Sequence, residues 1–144
     1  MLLANNLSFE RDNKTIFKEL DISLSPKKII HLYGHNGVGK TTLIKILANV
    51  LNSNTGEIYW HGKNIKKNIY EYFSDLTYIM DSHTSNDQMT IIENIRYWIK
   101  LFSSKIKLSE LDSILKMLLL ENKKNKKIAY LSRGEIKKLE LVRL

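Results

Sequence analysis

Gly34-His35-Asn36-Gly37-Val38-Gly39-Lys40-Thr41 fits the pattern G-x-x-x-x-G-K-[ST] at every fixed position. Each residue type has a physical reason to be there. Glycines let a loop turn with positive φ and bring its N–H groups close to phosphate oxygens. A lysine at position 40 supplies a point charge for β- and γ-phosphates, and a hydroxyl at position 41 is a ligand for Mg²⁺. The flanking sequence agrees. Residues 29–33, Ile-Ile-His-Leu-Tyr, form the short apolar run expected of a strand covered on both faces. Residues 40–51 place Leu43, Ile44, Leu47 and Val50 on one helical face, so that helix would aim its positive N-terminus into the loop. The candidate nucleotide-binding residues are Gly34, His35, Asn36, Gly37, Val38, Gly39, Lys40, Thr41 and Thr42, with Thr41 as the Mg²⁺ ligand.

Outward from this loop, strands come early and helices late. Residues 2–9 and 15–24 alternate loosely as strands, Pro26 breaks the pattern, and residues 57–60 and 76–80 read as further strands. Thr90-Ile91-Ile92-Glu93 has the form of a capping box opening a helix to about residue 102. Ser109-Glu110-Leu111-Asp112 resembles the same device, starting a helix over 111–120. The lysine-rich stretch 123–127 reads as a solvated loop, and a last helix begins near Gly134. The expectation is an α/β core with a helical portion attached.

Composition narrows the classes. The 144 residues are 43% hydrophobic and 26% charged, which suits a globule with a buried core. No apolar run approaches the eighteen or so residues of a membrane span, and the N-terminus lacks the basic flank and cleavage site of a secretory signal. With no cysteine, disulfides, thiolate catalysis and cysteine-based metal sites are excluded. The four histidines, His31, His35, His61 and His83, show no ligand spacing. A net charge of +8 invites an anionic partner, but its excess is nearly all lysine; the arginines are Arg11, Arg96, Arg133 and Arg143. Base readers draw on arginine forks interleaved with aromatics, so no direct nucleic-acid binding is expected.

A phosphate loop leaves kinases, GTPases, recombinases and transporter ATPases open. About ninety positions later, Leu131-Ser132-Arg133-Gly134-Glu135 lies within a stretch 129–139 that resembles the ABC signature, usually L-S-G-G-Q followed by basic residues. Two readings of these residues stand side by side. The Ser132 hydroxyl, the Gly134 amide and a helix N-terminus make a second anion site. The same residues also make an ordinary serine-capped helix start.

Together with the phosphate loop, the signature gives the entire chain a resemblance to ABC transporter ATP-binding subunits. Glu10-Arg11-Asp12, Gly56-Glu57-Ile58-Tyr59-Trp60, Glu93-Asn94-Ile95-Arg96-Tyr97-Trp98 and Leu141-Val142-Arg143-Leu144 carry it further, toward the cytochrome c maturation ATP-binding export family. The resemblance implies a P-loop NTPase fold of the ABC type: an N-terminal β subdomain and RecA-like core over residues 1–83, and a helical subdomain over 84–144. It implies ATP and Mg²⁺ as cofactors. It also implies a second ATP-binding subunit in a head-to-tail dimer and an integral membrane transporter subunit as partners. The place implied is peripheral, on the cytoplasmic side of the inner membrane, energising export of the haem-exporter type. Tyr97 and Trp98 fall on a helix that in ABC proteins lies near the membrane subunit; the alternative is that both pack into the helical subdomain.

The departures from the family pattern are specific. The glutamine that usually follows the strand at 76–80 is replaced by Asp81 or Ser82, and Gln88 lies several residues later. The adenine-stacking tyrosine falls at or near Arg11, leaving Arg11 or Phe9 for that role. Arg133 stands where the signature has glycine. The Walker B aspartate, catalytic glutamate and switch histidine would follow the signature helix, beyond Leu144. The chain is therefore expected to be a domain incomplete at its C-terminus and hydrolysis-incompetent by itself. Two alternatives accompany the transporter reading: a nucleotide-binding remnant, and a soluble ABC protein acting on nucleic acid.

Overall fold

The computed structural model describes residues 1–80, 82–101 and 108–143. The chain divides into two compact units, Met1–Tyr78 and Ile79–Leu144.

The first unit is built on a four-stranded antiparallel sheet of order β2-β1-β3-β4, with β1 Leu2–Arg11, β2 Lys14–Leu24, β3 Thr55–Trp60 and β4 Lys63–Asn64. Asp12 (φ 52°) and Asn13 (φ 59°) join β1 to β2, with Arg11 opposite Lys14. Asp and Asn tolerate the left-handed region, and two such residues in a row give a turn whose twist matches the strands. The sheet is covered by two helices, α1 (Lys40–Leu47) and α2 (Ile69–Asp75). Leu2, Ala4, Leu7, Leu43, Ile46, Ile58, Ile65 and Tyr72 form one apolar cluster. The Tyr72 hydroxyl donates to the Leu47 carbonyl at 2.5 Å, tying α2 to the end of α1.

Two expected strands are absent. Neither 29–33 nor 76–80 pairs into a ladder among the described residues. A strand exists through its hydrogen-bonded neighbour, and the apolar run at 29–33 has none; Ile29 is 94% and Tyr33 92% exposed. The helix expected over 40–51 stops at Leu47, where Asn49 takes φ 54° and Val50 and Leu51 donate back to the Lys45 carbonyl. That is a left-handed stop of the kind asparagine supports. Helix α2 was not expected.

The second unit is helical, with α3 Ile91–Leu101, α4 Leu111–Met117 and α5 Arg133–Glu140. The Thr90 capping box is present: the Thr90 N–H donates to the Glu93 carboxylate at 2.7 Å, and the Glu93 N–H donates to the Thr90 hydroxyl at 3.3 Å. The second expected box is not. A 3₁₀ turn over Leu108–Glu110 runs into α4, so Glu110 occupies the cap with helical dihedrals and no side-chain cap bond forms. Ile91, Ile95, Trp98, Leu111, Leu115, Leu120, Ile128 and Leu139 belong to its core. Trp98 is buried there, whereas Tyr97 is half exposed. Within 123–127, Lys123 and Lys124 are not simply solvated but pair with Glu135 and Asp112.

Candidate functional site

Gly39 caps α1 at φ 104°, ψ 7°, with no side chain to receive the first-turn amides. A Cβ at this position would lie 2.4 Å from a methyl carbon of Ile16, so backbone conformation and the close approach of β2 both demand glycine. The first intrahelical bond runs from the Leu43 N–H to the Gly39 carbonyl at 2.9 Å. The amides of Lys40, Thr41 and Thr42 precede it and have no intrahelical acceptor, which leaves them for an anion. The Lys40 ammonium donates to the carbonyls of Gly34 (2.5 Å) and His35 (2.8 Å), folding back over the loop it follows.

Gly39, Lys40, Thr41 and Thr42 line an open cleft of about 310 Å³, together with Arg11, Ile16, Asn36 and Gly37. Its charged side chains are the Lys40 ammonium and the Arg11 guanidinium; no described residue of its lining is acidic. The Arg11 side chain is 77% exposed, with one loose ion pair to Asp12 at 3.7 Å. Phe9 is elsewhere. Its ring packs 6.2 Å from that of Phe17, against the apolar cluster of the sheet, and the pairing of β1 with β2 shifts register between Phe9 and Glu10, before Arg11. Of the two adenine-stacking candidates, the structure brings Arg11 to the cleft and leaves Phe9 in the packing. The Thr41 hydroxyl is exposed and forms no hydrogen bond among the described residues, and a neutral oxygen donor of this kind suits Mg²⁺.

The signature residues begin α5. Ser132 is its N-cap, accepting from the Glu135 N–H at 3.3 Å, while the Ser132 N–H donates to the Glu135 carboxylate at 2.8 Å. The serine-capped helix start is thus realised. It leaves the anion-site reading open, since the Ser132 hydroxyl keeps its own proton to donate. Leu131 is buried, Arg133 and Gly134 are exposed, and a Cβ on Gly134 would meet nothing within 4 Å.

Lys123 beside Glu135, with the Ser132 N–H, pulls the Glu135 carboxyl down to about 2. A folded-state value below the unfolded one, near 4.5, adds stability that is fully present above that unfolded value. It is lost as pH falls from about 4.5 to about 2. Protection of the α5 amides against hydrogen exchange is therefore expected to decline across this window in the wild type. In Glu135→Gln the decline across it should be smaller. Identical pH profiles would contradict the assignment.

Sequence reasoning missed a buried polar cluster in the same unit. The Glu140 carboxylate is 1% exposed and accepts from the Thr84 N–H (3.0 Å) and the hydroxyls of Thr84 and Ser85. Asn94, also buried, bonds both the N–H and the carbonyl of Asn86. The signal was there: Glu140 lies four residues after Ile136, on the face that should be apolar. Lys137 donates to the Met80 carbonyl. Asp81 lies outside the described residues; Ser82 and Gln88 are exposed. No group of three acidic or histidine side chains is placed to hold a metal among the described residues.

A phosphate loop at a helix start in an α/β unit, with an L-S-x-G-x helix in a helical one, defines a nucleotide-binding subunit of the ABC class. The ABC transporter family matches residues 17–144, and the chain belongs to it. ATP-binding members of this family bind nucleotide and are ATPases. The chain is similar to the cytochrome c biogenesis ATP-binding export protein CcmA of Dechloromonas aromatica, 31% identical over 144 residues, all of this chain and 71% of that protein. It is likewise similar to CcmA of Yersinia pestis, 29% identical over all of this chain and 66% of that protein. The chain thus spans about two thirds of the length of these relatives. A solved chain from Pyrococcus furiosus, described as an ABC transporter ATP-binding protein, shares the fold at TM-score 0.84 and 23% identity, covering 99% of this chain and 68% of that one. So does cbiO1 of Clostridium perfringens, part of the ABC transporter complex cbiONQ, at TM-score 0.73 and 20% identity, covering 99% of this chain and 59% of that one. Among the described residues, no helix is long and apolar enough to cross a membrane.

Proposed function

We propose that this chain is the ATP-binding part of an ABC transporter of the cytochrome c maturation, haem-exporter type. The single observation that carries the reading is the cleft at the start of α1, where Lys40 and the free first-turn amides converge on glycine backbone. Residues 34–42 hold the triphosphate, and the Thr41 hydroxyl holds Mg²⁺, which when bound neutralises phosphate charge. Lys40 exchanges its loop carbonyls for β- and γ-phosphate oxygens, so the ligand replaces contacts the lysine already makes. Arg11 lies under the base. Residues 1–83 serve as β subdomain and nucleotide core, and residues 84–144 as the helical subdomain.

The signature residues Leu131, Ser132, Arg133, Gly134 and Glu135 serve a second subunit. In a head-to-tail pair with two-fold symmetry, Ser132 and Gly134 complete the γ-phosphate site begun by Gly37, Gly39 and Lys40 of the partner. The open space around Gly134 supports this, since a Cβ there would meet no other atom of the described residues within 4 Å outside its own helical turn. The pair docks on an integral membrane subunit from the cytoplasmic side of the inner membrane. Ser132→Arg is expected to spare ATP binding while abolishing ATP-driven dimerisation, by forcing bulk and charge into the shared site. Sedimentation with and without MgATP measures it; a Ser132→Arg protein that still dimerised on ATP addition would remove the signature from the account.

By itself the 144-residue chain is proposed to turn over ATP at no meaningful rate. Its cleft positions phosphate with cations and amides, and no described residue of the lining is an acid that polarises water. A missing general base and an incomplete electrostatic shell each forfeit roughly 10²-fold or more. Steady-state phosphate release by the purified chain should equal that of Lys40→Ala. Release that exceeds the variant's and saturates with ATP would refute this.

A further inference from the structure

We infer that Lys123 is a positioning residue for assembly: by holding the Glu135 carboxylate back on its own helix cap, it keeps a negative charge from opposing the partner's phosphate at the start of α5; this rests on the function proposed above. Glu135 lies in the first turn of α5, three residues after the Ser132 cap. A carboxylate there stabilises the helix by meeting its positive end. By the same physics it competes with any anion arriving from outside. Both of its oxygens are engaged within the unit. Oε1 accepts from the Lys123 ammonium, and Oε2 accepts from the Ser132 N–H at 2.8 Å. Glu135 is thereby turned onto its own cap, and its side chain is 21% exposed. With Lys123 cancelling its charge, the exposed Arg133 guanidinium sets the sign of the turn.

The backbone under Lys123 is fixed on both sides. Lys123 ends the 3₁₀ turn Glu121–Lys123, which follows Leu120, fully buried in the core of the same unit. The Leu120 N–H donates to the Leu115 carbonyl at 2.8 Å, and the Lys123 N–H donates to the Leu120 carbonyl at 2.9 Å. The Lys123 carbonyl accepts from the Lys126 N–H at 2.8 Å. Only the side chain has freedom left to lose when it pairs. The next lysine shows the contrast. Lys124 meets Asp112 at 3.3 Å with side chains 43% and 69% exposed, and an exposed pair of this kind contributes little. The Lys123 ammonium and the Ser132 N–H hold the Glu135 carboxyl well below the usual carboxylate range. Removing Lys123 therefore leaves Glu135 charged at neutral pH, with no cation to offset it, in the turn that receives the phosphate.

Sedimentation at saturating MgATP tests this on the wild type, Lys123→Met, Glu135→Gln, their double variant and Lys124→Met, which removes the same charge one residue away. Lys123→Met is expected to raise the dimer dissociation constant about tenfold or more, because an uncompensated like charge at an interface is costly. Lys124→Met should stay within about twofold of the wild type. In the Glu135→Gln background, Lys123→Met should change the constant by less than about twofold, since the amide carries no charge to cancel and still accepts from the Ser132 N–H. A loss of about tenfold in that background would make Lys123 a packing or phosphate contact and overturn the inference. An equal loss in Lys124→Met would overturn it in favour of net charge. The monomer gives a check without ATP. The ¹³C resonance of the Glu135 carboxyl should titrate at about 2 in the wild type and move toward 4.5 in Lys123→Met. A midpoint unmoved by the substitution would also overturn the inference. If Ser132→Arg still dimerises on ATP addition, the signature reading itself fails, and the inference fails with it.

Discussion

Lys40→Ala is expected to weaken ATP binding by about 10- to 150-fold. Lys40 is the side-chain cation at the start of α1, and its ammonium already reaches back to the Gly34 and His35 carbonyls. A charge-assisted hydrogen bond is worth roughly 1.5–3 kcal/mol, which converts to that range of affinity. Alanine removes the phosphate contact and also frees the loop that the ammonium gathers, so both effects act in the same direction. The fold should survive, because the Lys40 side chain takes no part in the apolar cluster of the sheet. Titration with a fluorescent ATP analogue, with circular dichroism as a check on folding, measures the loss. Equal affinities in two folded proteins would sink the phosphate-loop assignment.

The largest expected effect on stability lies away from the cleft. Gly56→Ala should cost about 3 kcal/mol or more, because two penalties coincide there. Its φ of 88° is strained for any residue with a Cβ, and that Cβ would stand 2.5 Å from the Asn6 carbonyl oxygen and 2.6 Å from that of Asn5. Both neighbours are backbone and cannot swing aside. They belong to β1 where its pairing with β3 shifts register between Asn5 and Ser8, with Asn6 at φ 53°. The bulge in one strand and the glycine in the other are a fitted pair. Gly62→Ala supplies the control. Its φ is 77°, yet a Cβ there meets nothing within 4 Å, so it should lose only the conformational part, about 1–2 kcal/mol. Urea unfolding of the two variants compares them directly, and a Gly56→Ala loss no greater than that of Gly62→Ala would contradict the close approach.

The fold class was legible from two stretches. The phosphate loop and the L-S-R-G-E stretch are tight local patterns that together pointed to the family, and the family match to residues 17–144 agrees with that fold class. The strands β1 and β2 were legible from their alternation over 2–9 and 15–24, whereas their pairing through a turn at Asp12 and Asn13 came from the structure. The run at 29–33 was misread because apolarity marks a strand able to be buried on both faces, whereas pairing depends on which other segment lies alongside. The Ser109 box was misread because its spacing is right but the chain enters α4 through a 3₁₀ turn, so the serine precedes the true cap by one residue. Phe9 and Arg11 differ by two positions, and only their packing shows which one reaches the cleft. Glu140 was overlooked because its spacing from Ile136 marks the inward face of α5 but names no partner, and Thr84 and Ser85, which hold it, lie more than fifty residues away.

The central claim is that residues 34–42 form a nucleotide site in this chain. A ¹H–¹⁵N correlation spectrum of the 144-residue protein, titrated with MgATP, tests it most directly. The account predicts saturable shifts concentrated on the amides of Gly34, Gly37, Gly39, Lys40, Thr41 and Thr42, with a smaller response at Arg11. Saturation with those amides unmoved, or shifts confined to other parts of the chain, would contradict it.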